Sequence, residues 1–304
     1  MADMRPEVQS ALRKGLPVIA LESALITHGL PWPRNLEVAR SLAQIVRDEG
    51  GIPATIGIIG GRIKVGLSES DLERLARSAK ARKVSGRDIP IAVAKGQDGG
   101  TTVAATMFLA HQAGIQVFAT GGIGGVHRGH PSDVSADLPE LARTPVAVIS
   151  AGAKALLDLP LTLEWLETHG VPVLGYGTDE LPAFYSKRSG LPVDCRVDSP
   201  EEAAQIIATK WKLGLTGGVL VAVPIPAEAE MEPQVVERVV GVALAAAKER
   251  GIKGKALTPF ILGQISQLTE GRSLEANVAL LRNNAAVATQ IASALLGVDS
   301  PEHL

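Results

Sequence analysis

Short apolar, β-prone runs alternate with helical segments along nearly all of this 304-residue chain, and that alternation restricts the fold more than any other feature. Such a pattern calls for a largely parallel sheet with helices covering both faces. Leu16–Ser23, Ile89–Gly96, Ile115–Gly122, Val146–Gly152, Val171–Gly177 and Gly217–Pro226 read as strands. Ala54–Leu67 reads as a hairpin turning at Gly60-Gly61, which makes the sheet mixed. Arg34–Gly51, Ser68–Lys80, Thr101–Gly114, Leu161–Gly170 and Ser199–Gly214 read as helices, with Ser68 and Ser199 as N-caps and Pro200 at the first helical position. Three more helices are expected around Pro233–Arg250, Thr258–Thr269 and Ser273–Leu296. The expected fold is α/β, a three-layer α/β/α sandwich with a mixed central sheet, formed as one domain over residues 1–304. Hydrophobic residues make up 46% of the chain but aromatics only 3%, so its core must be Ala, Val, Ile and Leu.

The most chemically suggestive stretch is VAVISAGAKALLDL, Val146–Leu159. It reads as a buried strand, a tight Ala-Gly-Ala turn and a helix opening beside Lys154. Ligands in open α/β sheets sit at the carboxyl ends of strands. A helix N-terminus disfavours further positive charge, so a lysine there is a candidate amine nucleophile. A solvated lysine following a turn is the plainer alternative.

Four polar clusters accompany it. Glu22 stands at a strand end with His28 beyond it, where it can act as a proton donor or as an ion-paired or capping glutamate. Gly99, Gly100, Thr101 and Thr102 open a helix whose free N–H groups suit a phosphate or an ordinary cap. The GGIGG run at Gly121–Gly125 lacks dinucleotide-binding spacing, because His127 stands where the last glycine is needed. The segment after it carries His127, Arg128, His130, Asp133, Ser135 and Asp137, a solvated loop or a hard-cation site. Asn277, Asn283 and Asn284 interrupt an apolar helix and need amide partners, from a planar base or from backbone.

Other classes are disfavoured. The formal net charge of −2 provides no global attraction to nucleic acid or membrane. Cys195 is the single cysteine, which excludes an intramolecular disulfide and fits a cytoplasmic setting. No apolar run approaches the roughly 20 residues of a membrane span.

Ten stretches, in chain order, together resemble the pseudouridine-5′-phosphate glycosidase, or indigoidine synthase A-like, family. They are ALESALITHGLP, KVSGRDIP, GGTTVAATM, FATGGIGGVHRG, DVSADLPELA, AGAKALLDLPLTLEWLETHGVPVLGY, LPAFY, GGVLVAVPIP, GKALTPFIL and SLEANVALLRNNA, spanning Ala20 to Ala285. The resemblance implies a homotrimeric α/β/α enzyme that reversibly cleaves the C–C glycosidic bond of pseudouridine 5′-phosphate, giving uracil and ribose 5-phosphate. It implies Glu22 as proton donor and Lys154 as nucleophile on a ring-opened ribose. It implies substrate contacts at Lys83, Val103, Ser135, Ala136, Asp137 and Asn277. It also implies Mn²⁺ held largely by water and by Asp133, with one ion per subunit. The spacer before Asp133 is short here, only His130, Pro131 and Ser132. No appended kinase domain is expected. A sugar-phosphate aldolase or other Schiff-base lyase would use the same lysine, and a nucleotide-binding regulator would use the same strands without the acid, amine and metal residues.

Overall fold

The computed structural model describes residues 2–252, 254 and 257–298. Its strands are β1 Asp3–Met4, β2 Val18–Leu21, β3 Ile52–Ile59, β4 Arg62–Val65, β5 Arg82–Val84, β6 Gly99–Thr101, β7 Val117–Ala119, β8 Val126–His127, β9 His130–Val134, β10 Ala147–Ser150, β11 Leu157–Asp158, β12 Val173–Tyr176, β13 Cys195–Val197 and β14 Val219–Ala222. Its helices are α1 Pro6–Arg13, α2 Arg34–Asp48, α3 Glu69–Arg77, α4 Ile89–Ala94, α5 Val103–Gln112, α6 Asp137–Arg143, α7 Leu159–Thr168, α8 Pro200–Lys212, α9 Pro233–Glu249, α10 Leu257–Leu268 and α11 Arg272–Val298. Of the stretch GKALTPFIL, Lys255 and Ala256 lie outside the described residues.

The main sheet follows the order β1-β4-β3-β2-β7-β10-β14-β12-β13, with β6 pairing β3 and β5. From β3 through β2 to β13 neighbours on the path run parallel, whereas the β3–β4 hairpin and the β3–β6 pair are antiparallel. The expected mixed α/β/α sandwich is the observed fold. Strands buried on both faces are almost wholly apolar: Val18–Leu21, Ala147–Ser150 and Val219–Ala222 are buried throughout, with Ser150 the one polar residue. The hairpin turns at Gly60-Gly61, with φ of 56° and 78°, as a two-residue turn joining twisted strands demands. Ser68 and Ser199 cap α3 and α8 as the sequence predicts, each accepting a backbone N–H of the first turn.

One order reversal matters for function. From β2 the chain moves outward to β3 and β4, then returns to lay β7 on the other side of β2. A crevice opens at the carboxyl ends of strands where the order reverses in this way. The 27-residue α11 packs under β2, β7 and β10 and against α2 and α8, while α5 packs on β2, β3 and α6. None of the described helices is long and apolar enough to cross a membrane.

Four readings are corrected. Ile89–Gly96 is not a strand: Ile89–Ala94 forms α4, with Pro90 in its first turn. A short apolar run fits either structure, and proline at a helix start decides it. Gly99–Thr101 is a strand, so α5 opens at Val103 instead of Thr101. No helix opens beside Lys154 either, since a turn and β11 intervene and α7 begins at Leu159, capped by Asp158. The polar segment after Gly125 is also more ordered than a solvated loop. It forms the antiparallel β8–β9 hairpin, paired with β11 in a small second sheet.

Candidate active site

Three adjacent strand ends build the centre of the site. β2 leads into Glu22, β7 into Thr120, Gly121 and Gly122, and β10 into Ala151, Gly152, Ala153 and Lys154. Leu21 pairs with Ala119, and Ala119 with Ile149, so the three parallel strands release their chains at one edge. A cavity of about 560 Å³ opens there, over the β2–β7 crevice. Glu22, Lys83, Val103, Asp133, Ser135, Ala136, Asp137, Lys154 and Asn277 all line it.

Glu22 is enclosed by protein and partly accessible within the cavity it lines. Burial pushes its carboxyl above the usual range, against the pull of Lys154, the hydrogen bond from Thr120 and the pull of Lys83. Asp137 adds to the upward push. Desolvation therefore wins over two nearby cations and favours a neutral, proton-bearing acid. Thr120 Oγ1 donates to Glu22 Oε1. Sequence reasoning missed Thr120, although it follows β7 just as Glu22 follows β2.

The Lys154 amine donates to the Gly122 carbonyl. Its backbone N–H donates to the Ile123 carbonyl at 3.1 Å, and Ile123 forms a parallel bridge with Ala153. The turn is tight enough to require glycine at residue 152. Gly152 has φ +76°, and a Cβ there would lie 2.6 Å from the Pro182 carbonyl oxygen. Strand-end geometry, rather than a helix terminus, carries Lys154 into the cavity.

Lys83 on β5 reaches the same cavity beside the start of α5. Thr102 is the N-cap residue of α5, but its side chain caps nothing. Its Oγ1 is buried without a hydrogen-bond partner among the described residues, and both Thr102 and Val103 line the cavity. An unsatisfied hydroxyl at a helix start beside a lysine suits an anionic oxygen. Arg87 and Arg143 add positive charge to the lining; the sequence reading singled out neither.

Asp137 has a different kind of environment. Its Oδ1 accepts the Ala104 N–H at 2.9 Å and its Oδ2 the Gly124 N–H at 2.8 Å. The carboxylate thus ties the first turn of α5 to the glycine loop after β7. Asp137→Asn replaces one acceptor oxygen by an NH₂ group facing a buried N–H. It is expected to lower unfolding free energy by about 1–3 kcal/mol, measured by urea denaturation. Activity loss at this position must be read beside that measurement.

Asp133 stands on exposed β9 facing the cavity. Among the described residues no cluster of three or more His, Cys, Asp or Glu is arranged to hold a metal. The imidazole of neighbouring His127 is held below its ordinary pKa, chiefly by burial, with Asp133 pulling the other way. Two of the three asparagines follow the backbone alternative. Asn284 Nδ2 donates to the Thr120 carbonyl at 2.8 Å and Asn283 Nδ2 to the Pro224 carbonyl at 3.3 Å, so both serve backbone. Asn277 faces the cavity.

The molecule is an α/β enzyme with a glutamate and a lysine in one cavity at the carboxyl edge of a mixed sheet, alongside Lys83 and the start of α5. The sequence profile of indigoidine synthase A-like proteins matches residues 7–294. The chain belongs to that family. It is 56% identical over 292 residues to the pseudouridine-5′-phosphate glycosidase of Caldanaerobacter subterraneus, covering 95% of each chain. It is 55% identical over 302 residues to the Methylobacterium nodulans protein of the same name, covering 99% of this chain and 90% of the relative. Among solved structures, the prealnumycin C-glycosynthase AlnA in complex with ribulose 5-phosphate superposes with TM-score 0.90 at 41% identity, covering 98% of both chains. An indigoidine synthase A-like protein of Thermotoga maritima superposes with TM-score 0.90 at 38% identity, covering 97% of both.

Proposed function

We propose that this protein cleaves the C–C glycosidic bond of pseudouridine 5′-phosphate, reversibly, to uracil and ribose 5-phosphate. The observation that carries the reading is the joint placement of a buried acid, Glu22, and an amine, Lys154, beside an anion-compatible corner at Lys83 and Thr102. Relatives of the same name at 55–56% identity support it, as does a C-glycosynthase on the same fold.

The chemistry explains the need for an amine. Ordinary glycosidases expel an oxygen leaving group between two carboxylates; a C–C glycoside has none. Glu22 protonates the ribose ring oxygen while the Lys154 amine bonds C1′, breaking the C1′–O4′ bond and opening the ring. Uracil C5 then takes a proton. The nitrogen lone pair forms a C1′ iminium as the C1′–C5 bond breaks, and its electron pair returns to the uracil ring. Water hydrolyses the iminium, releasing ribose 5-phosphate and restoring the amine. Lys83, Thr102, the Val103 end of α5 and Ser135 hold the phosphate. Asn277 meets the base.

A divalent ion, Mn²⁺ in this reading, fits the donors present only as a largely hydrated ion. Four carboxylates line the cavity. Glu22 is engaged by Thr120, Asp137 by two backbone N–H groups and Glu140 by Arg143 and Thr144. That leaves Asp133, and one carboxylate with waters suffices for a hard cation. When bound, the ion supplies positive charge near the sugar phosphate. The same reading includes a homotrimer in the cytoplasm; exposed Ile91 and Val93 on α4 and Phe108 on α5 offer apolar surface for assembly.

The test is uracil release from pseudouridine 5′-phosphate, followed chromatographically, before and after chelation and on adding Mn²⁺. Release that falls on chelation and returns with Mn²⁺ is expected. No uracil with metal present, or turnover of a different sugar phosphate instead, overturns the reading in favour of another Schiff-base lyase.

A further inference from the structure

We propose that Phe184 is a positioning residue for Lys154, acting through the Gly122 carbonyl that receives the amine; the proposal rests on Lys154 being the nucleophile. Phe184 belongs to the LPAFY stretch, to which the reaction as described assigns no task. Its backbone has φ of 63°, a conformation that bulky side chains avoid. A residue in that region persists only where its surroundings hold it, and such residues gather at functional sites.

The surroundings are specific. A Cβ on Gly122 would lie 2.6 Å from Phe184 Cε2 and 2.7 Å from its Cδ2. The ring is therefore seated directly on Gly122, with no room for a side chain between them. Gly122 presents its carbonyl to the Lys154 amine. The preceding residues are tied down from α11, where Asn284 Nδ2 donates to the Thr120 carbonyl. The ring and the asparagine together clamp the segment that holds the amine. The Phe184 loop also presses on the other end of the lysine turn, since the Pro182 carbonyl closes the space over Gly152.

The loop is itself anchored. Tyr185 packs edge-on against Phe184, with ring centroids 4.7 Å apart at 76°. The Tyr185 carbonyl accepts the Met231 N–H at 2.8 Å, and Ser186 Oγ donates to the Met231 carbonyl at 2.8 Å. Simple core filling does not require an aromatic residue at positive φ. Holding a ring flush against one glycine, on a loop that also covers the lysine turn, does.

The experiment uses the full-length enzyme with Phe184→Leu, Gly122→Ala and the double variant. Each approaches the same contact from one partner, so either single variant suffices if the other fails to fold. Folding is checked by circular dichroism at the assay temperature. Expected is a loss in kcat between about tenfold and a hundredfold, as for a misplacement on the order of 1 Å, with KM for pseudouridine 5′-phosphate nearly unchanged. Borohydride trapping of ribose 5-phosphate on Lys154 should slow by the same factor. The double variant should be no worse than the worse single one, because both act through one contact. Wild-type kcat and trapping in a folded single variant, a rise in KM alone, or multiplying losses would overturn the proposal. If wild-type enzyme forms no adduct at Lys154, the nucleophile reading fails and the positioning role falls with it. If wild type forms the adduct and the variants form it equally fast, only the role of Phe184 fails.

Discussion

Replacing Lys154 by alanine is expected to reduce uracil release by a factor on the order of 10⁴ to 10⁶, the loss seen when a covalent nucleophile is removed. Thermal unfolding should stay close to wild type, because the side chain's hydrogen bond is a single contact to the Gly122 carbonyl. Lys154→Arg is the sharper variant. It keeps the positive charge and the reach, but a guanidinium stays protonated and cannot attack C1′. It should be as inactive as alanine. Borohydride added with ribose 5-phosphate should attach the sugar at residue 154 of the wild-type enzyme and nowhere in either variant. An adduct on another residue, or normal turnover in Lys154→Arg, would remove the Schiff base from the mechanism.

Glu22→Gln carries the second large effect. A positioned general acid contributes typically 10²–10⁴-fold, and a loss of that size in kcat is expected. The pH profile adds a check. Burial holds the Glu22 carboxyl above the usual carboxylate range, so the acid stays loaded to higher pH than an exposed glutamate. Cleavage should fall as pH rises through that elevated value, and Glu22→Gln should lack this limb. The same shift bears on stability. The fold favours the protonated carboxyl, so its contribution is complete below the unfolded-state value and lost as pH climbs through the folded one. The glutamine variant, uncharged throughout, should therefore gain stability relative to wild type as pH rises across that window. Urea midpoints measured from about pH 4 to pH 8 read this directly. A constant difference between the two proteins would mean that Glu22 ionises as freely in the fold as in the unfolded chain.

The sequence disclosed the layer architecture because strands buried on both faces must be almost wholly apolar, and β2, β10 and β14 are, Ser150 at the end of β10 being the one polar residue among them. Capping chemistry disclosed α3 and α8 through Ser68 and Ser199. Short elements were hidden for physical reasons. Ile89–Ala94 is apolar enough for either periodicity, and β5 and β6 have three residues each, too few to establish one. At the site, the charged residues that follow strands were legible, Glu22 just after β2 and Lys154 beyond the turn after β10, whereas the uncharged Thr120 after β7 was not. What Lys154 rests against was not legible, because its contact with Gly122 spans 32 residues and depends on a third segment, around Phe184. Asp137 was read for its charge, whereas its geometry makes it a tie between α5 and the glycine loop.

The position of β14 bears on how the molecule is made. Val219–Ala222 comes last of the strands yet lies between β10 and β12, hydrogen-bonded to both. On the ribosome, an emerging chain that has reached β13 therefore presents two open, apolar strand edges with nothing between them. Open edges of that kind invite pairing with other chains. The flanking halves cannot join until residue 222 arrives, and α11 cannot brace β2, β7 and β10 until still later. Products terminated before residue 219 should consequently aggregate rather than work at a reduced rate, which sedimentation of truncated chains would read.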